Sequence, residues 1–432
     1  MVELTPELQQ ATIAKIRNRC IPILLLAFVV SYLDRVNVGF AAITANKDLG
    51  LTASTYGWGA GLLFLGYTVF ELPSNQALER FGARVWLARI MVTWGVIGCG
   101  MALVREPIGF YIARFVLGAA EAGLFPGVIL YLTYWFPRRY RARYISWFAL
   151  GIPLSSVIGS PISGLIISQM NGVMGVKGWQ WLFVLESLPA IVLGIAVFLW
   201  LKDRPSEASW LTPPEKTWLL GELEQERANQ TETRHSFAWR MLGDRRVLIL
   251  AGFFFLTGTP SYGLSLWLPQ IIKSSGLSSL ATGFVTAIPF VFGCVAMVVW
   301  GARSDRRRER VWHAAIPAVA ASVGLAAGAF SPSPVMQLCA ICLAAAGIYG
   351  LKGPFLAMVS EAFADTNAAA GIALVSTLGN LSGFVAPYMV GVIIDRTGSY
   401  RLGLLALGVQ PLLAVALLWA SNGGHGRARR EA

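Results

Sequence analysis

CIPILLLAFVVSYLDRVNVGFAAIT, residues 20–44, runs for twenty-five residues with only two charges, Asp34 and Arg35, side by side past its middle. A bilayer core about 30 Å thick takes roughly 20 apolar residues of helix, because every backbone polar group there must be bonded within a helix or a closed barrel. Unbroken apolarity fits a helix, since a barrel strand would alternate. The run is too long for the apolar core of a cleaved signal peptide, and its two charges interrupt it, so it is expected to stay as a transmembrane helix.

Eleven more runs of this kind follow: 54–76, 85–104, 107–135, 144–169, 179–201, 247–272, 280–300, 312–330, 335–361, 369–393 and 401–420. The expected fold is an all-α integral membrane protein of twelve transmembrane helices. Composition agrees: of 432 residues, 55% are hydrophobic and only 13% charged, where a soluble chain would be about a quarter charged. An ordinary soluble enzyme is excluded. The formal charge of +12, from 35 basic and 23 acidic residues, would suggest nucleic acid in a soluble protein. Here it reads as topology, with the lipid bilayer as partner and no nucleic acid.

Lys and Arg gather on the cytoplasmic side of membrane proteins. With the N-terminus inside, 26 basic residues fall at cytoplasmic ends, six at outer ends, and three, Arg35, Arg114 and Lys352, within spans. Both termini are therefore expected in the cytoplasm of a multi-pass protein of the inner (plasma) membrane. Residues 202–246 form the only long polar stretch, with eight basic and eight acidic residues. It divides the chain into an N-terminal six-helix bundle, 1–201, a cytoplasmic linker, 202–246, a C-terminal six-helix bundle, 247–420, and a cytoplasmic tail, 421–432. Within the linker, Thr212-Pro213-Pro214-Glu215 followed by Trp218, Leu219 and Leu220 predicts a capped helix near the membrane surface; a solvated tether is the other reading.

The halves resemble each other. Asn75-Gln-Ala-Leu-Glu79-Arg80-Phe-Gly-Ala-Arg84 has a counterpart in Gly301-Ala-Arg-Ser-Asp305-Arg306, 226 residues on, and Pro161 and Pro387 share that offset. A repeated six-helix unit places a binding site between the halves near the bilayer midplane, with access alternating as one half rocks against the other.

Two six-helix halves, a long central loop and an acidic-Arg motif after helices 2 and 8 resemble the major facilitator superfamily, over essentially the whole chain. Tyr32-Leu-Asp34-Arg35-Val-Asn37-Val-Gly39 in helix 1 and Arg114-Phe-Val-Leu-Gly118-Ala-Ala-Glu121-Ala-Gly123-Leu-Phe-Pro126-Gly127 in helix 4 resemble its anion:cation symporter family. Phe70-Glu71-Leu-Pro73-Ser74-Asn75, Trp179-Gln-Trp181-Leu-Phe183 and Ala369-Ala-Gly371-Ile-Ala are most similar to the tartrate, phthalate and hydroxyphenylacetate permease branch. Helix 5, with Gly151-Ile-Pro153 and Gly159-Ser-Pro161-Ile-Ser-Gly164, matches only part of the drug/proton antiporter signature.

A charge inside a span costs several kcal/mol unless paired or hydrated, which makes it a functional candidate by default. Asp34, Arg35, Arg114, Glu121 and Lys352 stand out. At about 1.5 Å per residue, Asp34 and Arg114 agree in depth to roughly 3 Å, which predicts an Asp34–Arg114 pair. Glu121 lies two turns below Arg114. Burial favours a protonated carboxyl and a nearby Arg an ionised one, so Asp34 and Glu121 are the expected proton-coupling residues. The alternatives are a permanent Asp34–Arg114 bridge, and a Glu121 bonded to helix backbone or a Tyr hydroxyl.

Arg35 offers a planar fork for a substrate carboxylate. Lys352, in Gly350-Leu-Lys352-Gly353-Pro354, sits where proline and glycines imply a broken helix, and is expected to meet the substrate from the other half; snorkelling or pairing with Glu361 is the alternative. Tyr32 shares the helical face of Arg35. The resemblance implies that Tyr67 in helix 2 and Asn380 in helix 11 also surround the anion, and Arg114 completes the expected substrate-binding set. Tyr262 is a possible aromatic wall, whereas Trp267 reads better as a packing aromatic. Glu79, Arg80, Arg84, Asp305 and Arg306 are expected to form a cytoplasmic gating latch when the outer side is open, or simply to set topology.

Cys339-Ala-Ile-Cys342 has redox or zinc spacing but no His or carboxylate near it, so all five cysteines read as packing residues. His235, His313 and His425 are scattered. No nucleotide-binding loop, nucleophile motif or catalytic constellation appears. No enzyme activity, metal or cofactor is expected, only protons as the coupling ion. The function expected is a proton-coupled symporter, working as a monomer, that imports a small organic carboxylate such as phthalate, tartrate or another aromatic or hydroxy acid. Efflux of an organic anion or drug, and sodium coupling, are the alternatives.

Overall fold

The computed structural model describes residues 5–228, 243–363 and 368–428, and those residues are helical almost throughout. The N-terminal half contains α1 (Pro6–Asp48), α2 (Ala53–Phe81), α3 (Ala83–Gly100), α4 (Pro107–Glu121), α5 (Leu124–Trp135), α6 (Arg138–Gln169) and α7 (Gly178–Trp200). A linker helix, α8 (Pro213–Ala228), precedes the C-terminal half: α9 (Arg245–Lys273), α10 (Ser279–Arg307), α11 (Val311–Phe330), α12 (Pro334–Gly350), α13 (Lys352–Ala362), α14 (Ala368–Asn380), α15 (Ser382–Thr397) and α16 (Tyr400–Ala428). The pairs α4–α5, α12–α13 and α14–α15 each make one span, so the twelve expected spans are present.

Eleven spans are long and apolar enough to cross a membrane by length and composition, the exception being α2. Its Gly57, Gly59, Gly61, Gly66, Glu71 and Asn75 lower its apolarity. Packing against α4 and α15 explains that choice, because a helix covered by protein can trade lipid solubility for close approach. Several helices also outrun their apolar runs. α1 begins at Pro6, capped by the Thr5 side chain, which accepts from the Leu8 amide, and α16 continues to Ala428, into what the sequence marks as a tail.

The fourth span breaks because Gly123 takes φ +88°, a left-handed conformation that side chains rarely adopt. The broken end is held by Ser74, whose hydroxyl donates to the Ala122 carbonyl at 2.6 Å and accepts from Trp86 Nε1 at 3.0 Å. The tenth span breaks at Leu351, where the sequence implies a break around Pro354, and Pro354 then sits in the first turn of α13, where a missing N–H costs nothing.

The linker departs from a solvated tether over its described residues. Glu215 caps α8 by accepting from the Thr212 amide at 2.8 Å and pairs with Lys15 of α1 at 2.6 Å. Glu226 pairs with Arg141 at 2.6 Å and accepts from the Arg138 amide at 2.6 Å. Trp218, Leu219 and Leu223 are buried, and Trp210 stacks on Trp135 with centroids 5.6 Å apart. The linker helix is therefore seated on the N-terminal half.

The two halves meet mainly at the end opposite this linker. Asp395, at the end of α15, accepts from Thr52 Oγ1 at 2.8 Å and from the Ala53 and Ser54 amides at 3.0 and 2.8 Å. It thereby caps α2 from the other half. Tyr56 donates to the Leu266 carbonyl at 3.1 Å. Gly57 lies so close to the Pro387 carbonyl that a Cβ there would clash with it. Among the described residues the ion pairs at the linker end stay within one half: Lys15–Glu215 and Arg141–Glu226 in the first, Asp305–Arg310 and Arg310–Glu361 in the second.

Candidate functional site

Between the halves at mid-depth lies a cavity lined by Tyr32, Arg35, Val36, Phe64, Ile152 and Ser156 from the first half. Ser261, Tyr262, Ser265, Leu266, Tyr349 and Lys352 line it from the second. Two cations from opposite halves, three serine hydroxyls and three tyrosines therefore face one space. Tyr32 and Tyr262 approach each other across it, Tyr349 stands beside Ser261 and Ser265, and the Ser265 hydroxyl donates to the Ser261 carbonyl at 2.9 Å.

Arg35 is only 8% exposed, and its Nε lies 2.8 Å from Glu121 Oε1. The same carboxylate oxygen accepts from the Ser31 hydroxyl. The guanidinium also lies over the rings of Tyr67, 4.6 Å from its centroid, and Tyr32, 5.1 Å from its centroid. This arrangement follows from the helix: Ser31 and Arg35 are four residues apart and so share a face, while the break after Glu121 ends α4 beside them. A buried guanidinium with one carboxylate partner and two aromatic faces retains N–H donors for a second anion.

The expected Asp34–Arg114 pair is not formed. Asp34 accepts from Trp94 Nε1 of α3 at 2.5 Å, from Ser187 Oγ of α7 at 3.0 Å and from Asn37 Nδ2 at 3.1 Å. Arg114 donates to the Ala60 carbonyl at 3.3 Å, and its Nε and Nη1 have no hydrogen-bond partner. The depth estimate fixed position along the axis only. Consecutive residues differ by about 100° around a helix, so Asp34 and Arg35 face different neighbours, the one the bundle interior and the other the cavity. Glu121 therefore pairs with Arg35, not with backbone or Tyr.

Lys352 opens α13 beside the cavity, with Nζ 4.8 Å from the Tyr349 ring centroid. Its alternative partner, Glu361, is taken by Arg310 at 2.9 Å. Tyr67 is buried against Arg35. Tyr67, Arg114 and Asn380 are not among the cavity-lining residues; Asn380 ends α14 at the break of the eleventh span. Trp267 is a packing residue, 1% exposed, donating to the Pro387 carbonyl at 3.3 Å and edge-on to Tyr56. Of the expected latch, Asp305 pairs with Arg310 at 2.7 Å, the Arg84 amide donates to Asp203 at 2.8 Å, and Arg80 lies over Phe81. Glu79 and Arg306 lie in the last turns of α2 and α10. His235 lies outside the described residues.

Two carboxyls inside spans escape the sequence argument. Glu186 in α7 is 4% exposed, with Oε1 accepting from Ser163 at 2.6 Å and Oε2 unpartnered. Glu71 in α2 also has an unpartnered Oε2. Both sit in runs whose apolarity is plain, and the signal that finds them is a complete census of charges within spans. Away from the ends of the runs, Asp34, Glu71, Glu121 and Glu186 outnumber Arg35, Arg114 and Lys352. Among the described residues the cysteines are free thiols, and no group of three or more potential metal ligands occurs.

Paired six-span bundles with a cationic cavity between them define a multi-pass membrane transporter rather than an enzyme. The chain belongs to the Major Facilitator Superfamily, whose model matches residues 24–387. It is 46% identical over 93% of its length to a putative tartrate transporter of Agrobacterium vitis, covering 89% of that protein. It is 38% identical over 96% of its length to a quinolone resistance transporter of Acinetobacter baumannii, covering 95% of it. Among solved structures, a bacterial homologue of the human lysosomal transporter Spinster, in an inward-facing conformation, matches with a TM-score of 0.75 at 18% identity, over 93% of this chain and 96% of that one. The relatives fit the branch that the helix 1 and helix 4 motifs resemble.

Proposed function

We propose that this protein is a proton-coupled symporter of the plasma membrane, with both termini cytoplasmic, that imports a small organic carboxylate bearing hydroxyl groups or a second acidic end. The observation that carries the reading is the Arg35–Glu121 pair at the wall of a cavity that Lys352 enters from the other half. With every carboxyl ionised the interior carries more negative than positive charge, and Arg35 is already engaged. An entering carboxylate competes with Glu121 for the guanidinium, and a proton on Glu121 removes the competitor. Anion and proton then favour each other's binding, which is the linkage a symporter needs. Asp34 serves as a second proton acceptor, held off the cavity by three donors. The serine and tyrosine hydroxyls suit a hydroxylated acid, and the name of the Agrobacterium relative supports tartrate or a near analogue.

On this reading the clasp around Asp395 closes the outer face and the linker end is the cytoplasmic one. The latch residues Glu79, Arg80, Arg84, Asp305 and Arg306 join the halves in the opposite state. Lipid and substrate are the only partners required, and a monomer contains the whole site.

Reconstituted protein in vesicles decides the matter. Tartrate and related dicarboxylates are expected to accumulate when the outside is acid, without sodium, and a protonophore is expected to stop it. Accumulation that needs a sodium gradient would overturn the coupling ion. The quinolone resistance relative supports a second reading, efflux; proton-driven export of a quinolone, with no carboxylate uptake, would establish that reading instead.

A further inference from the structure

The carboxylate that meets Arg35 is carried by the last residue of a helix. α4 stops at Glu121, Ala122 turns to φ −56° and ψ 134°, and Gly123 redirects the chain at φ +88°. Pro126 then falls in the first turn of α5, where its missing N–H is not needed. A helix end leaves its last carbonyls without intrahelical partners. The direction of the chain at Glu121 therefore has to be fixed from outside α4.

α2 supplies that constraint. Above the break the two helices touch through glycines: a Cβ on Gly118 would run into the Leu63 carbonyl, and one on Gly66 into the Phe115 carbonyl. This close contact ends about one turn short of Glu121. At the break itself Ser74, 6% exposed, donates to the Ala122 carbonyl at 2.6 Å and accepts from Trp86 Nε1 at 3.0 Å. Trp86 is itself held between Phe81, stacked with centroids 5.6 Å apart, and the Arg89 guanidinium, 3.9 Å from its ring centroid. The hydroxyl thus has a fixed donor behind it and a fixed acceptor ahead of it. Gly123 leaves room for this, since a Cβ there would run into Ser74 Oγ. At its other end Glu121 meets α1, through the Ser31 hydroxyl and through Arg35 Nε at 2.8 Å.

We propose that Ser74 is a positioning residue for Glu121: by tying the Ala122 carbonyl to α2 it fixes where α4 ends, and so holds the Glu121 carboxylate on the Arg35 guanidinium. Ser74 lines no part of the cavity, and its hydroxyl acts on the carboxylate only through the backbone. The consequence for transport rests on the reading above, in which Glu121 and substrate compete for Arg35; the hold on Glu121 does not. With the tether cut, Glu121 contests Arg35 less well, and substrate affinity depends less on pH.

A double-mutant cycle tests the hold with no substrate and no proton gradient. Thermal unfolding of the full-length protein is compared for the wild type, Ser74→Ala, Glu121→Gln and the double variant. Residues in one network couple and independent ones add, so the double variant is expected to lose less than the sum of the two single losses. Additive losses overturn the proposal and leave Ser74 as a cap on a helix end. Tartrate affinity against pH then reads the consequence. Binding by the wild type is expected to tighten toward acid, and the ratio of acid to alkaline affinity to fall about 2–10-fold in Ser74→Ala, the worth of one net hydrogen bond. A flat Glu121→Gln profile beside an unchanged Ser74→Ala profile overturns the positioning role. A Glu121→Gln profile as steep as that of the wild type overturns the competition reading instead, and the cycle alone then judges Ser74. Should Ser74→Ala fail to fold, Trp86→Phe, which removes the donor behind the hydroxyl and keeps a ring there, takes its place in both measurements and is judged by the same outcomes.

Discussion

The fourth span of each half breaks at mid-depth, and the two breaks present opposite charges. In the N-terminal half α4 stops on Glu121, while in the C-terminal half α13 starts on Lys352. The contrast extends through the halves. Asp34, Glu71, Glu121 and Glu186 all lie within N-terminal spans, whereas the described C-terminal spans bury no carboxyl and bring one cation, Lys352, to the cavity. On the proposed reading the duplicated scaffold has two tasks: one half would handle protons, and the other would contribute a positive end against which the anion is held.

The sharpest way to break that division is to neutralise its acidic side. Glu121→Gln is expected to leave Arg35 free at every pH, so that substrate still binds while proton-driven accumulation falls to the level outside; Asp34→Asn is expected to lose accumulation as well. Normal concentrative uptake in either variant, measured with labelled substrate in vesicles, would refute the assignment. Next in size is the cationic side. Lys352→Ala is expected to weaken dicarboxylates by about 10–100-fold, the worth of one charge-assisted contact, while monocarboxylates change little. Equal losses for both classes would mean that Lys352 supports the fold and not the ligand.

A smaller effect is expected at the seam between the halves. Asp395→Ala removes the cap that the C-terminal half places on α2, worth about 1 kcal/mol for a helix N-terminus. It should raise the population open at that end about fivefold, read by spectroscopic distances between labels on α2 and α15. The smallest effect concerns the linker helix. Burial of Glu215 opposes its ionisation, but hydrogen bonds from Lys15 and Thr212 outweigh this and hold its carboxyl below the ordinary value. Its contribution to docking α8 is therefore full above the unfolded value and is lost as pH falls through the lowered one. A nitroxide at the exposed Glu224 should sharpen in line shape on acidification below the usual carboxylate range; a signal that stays immobile would show that Trp218 and Leu219 hold α8 alone.

Much of the architecture is legible in the sequence because apolar length is a one-dimensional property. The twelve runs come out as helices, eleven of them long and apolar enough to cross a membrane, and the tenth is broken beside Lys352. Where the reading faltered, the missing quantity was angular or chemical. Depth along α1 made Asp34 and Arg114 look like partners, yet azimuth sends Asp34 to Trp94 and Ser187 and leaves Glu121 to Arg35. Glu71 and Glu186 were hidden by the apolarity around them. Asp395 carries no local signal of its role, because its partners, the Ala53 and Ser54 amides, lie 341 or more residues away.

That clasp has a thermodynamic consequence for every affinity measured on this protein. A ligand arriving from the clasped side binds only the fraction of molecules whose clasp is undone, so its apparent Kd is the intrinsic one divided by that fraction. A ligand arriving from the linker side is not taxed in this way. The same cavity, with the same two cations, should therefore register two different affinities for one acid, and the ratio between them measures how firmly Asp395 holds α2.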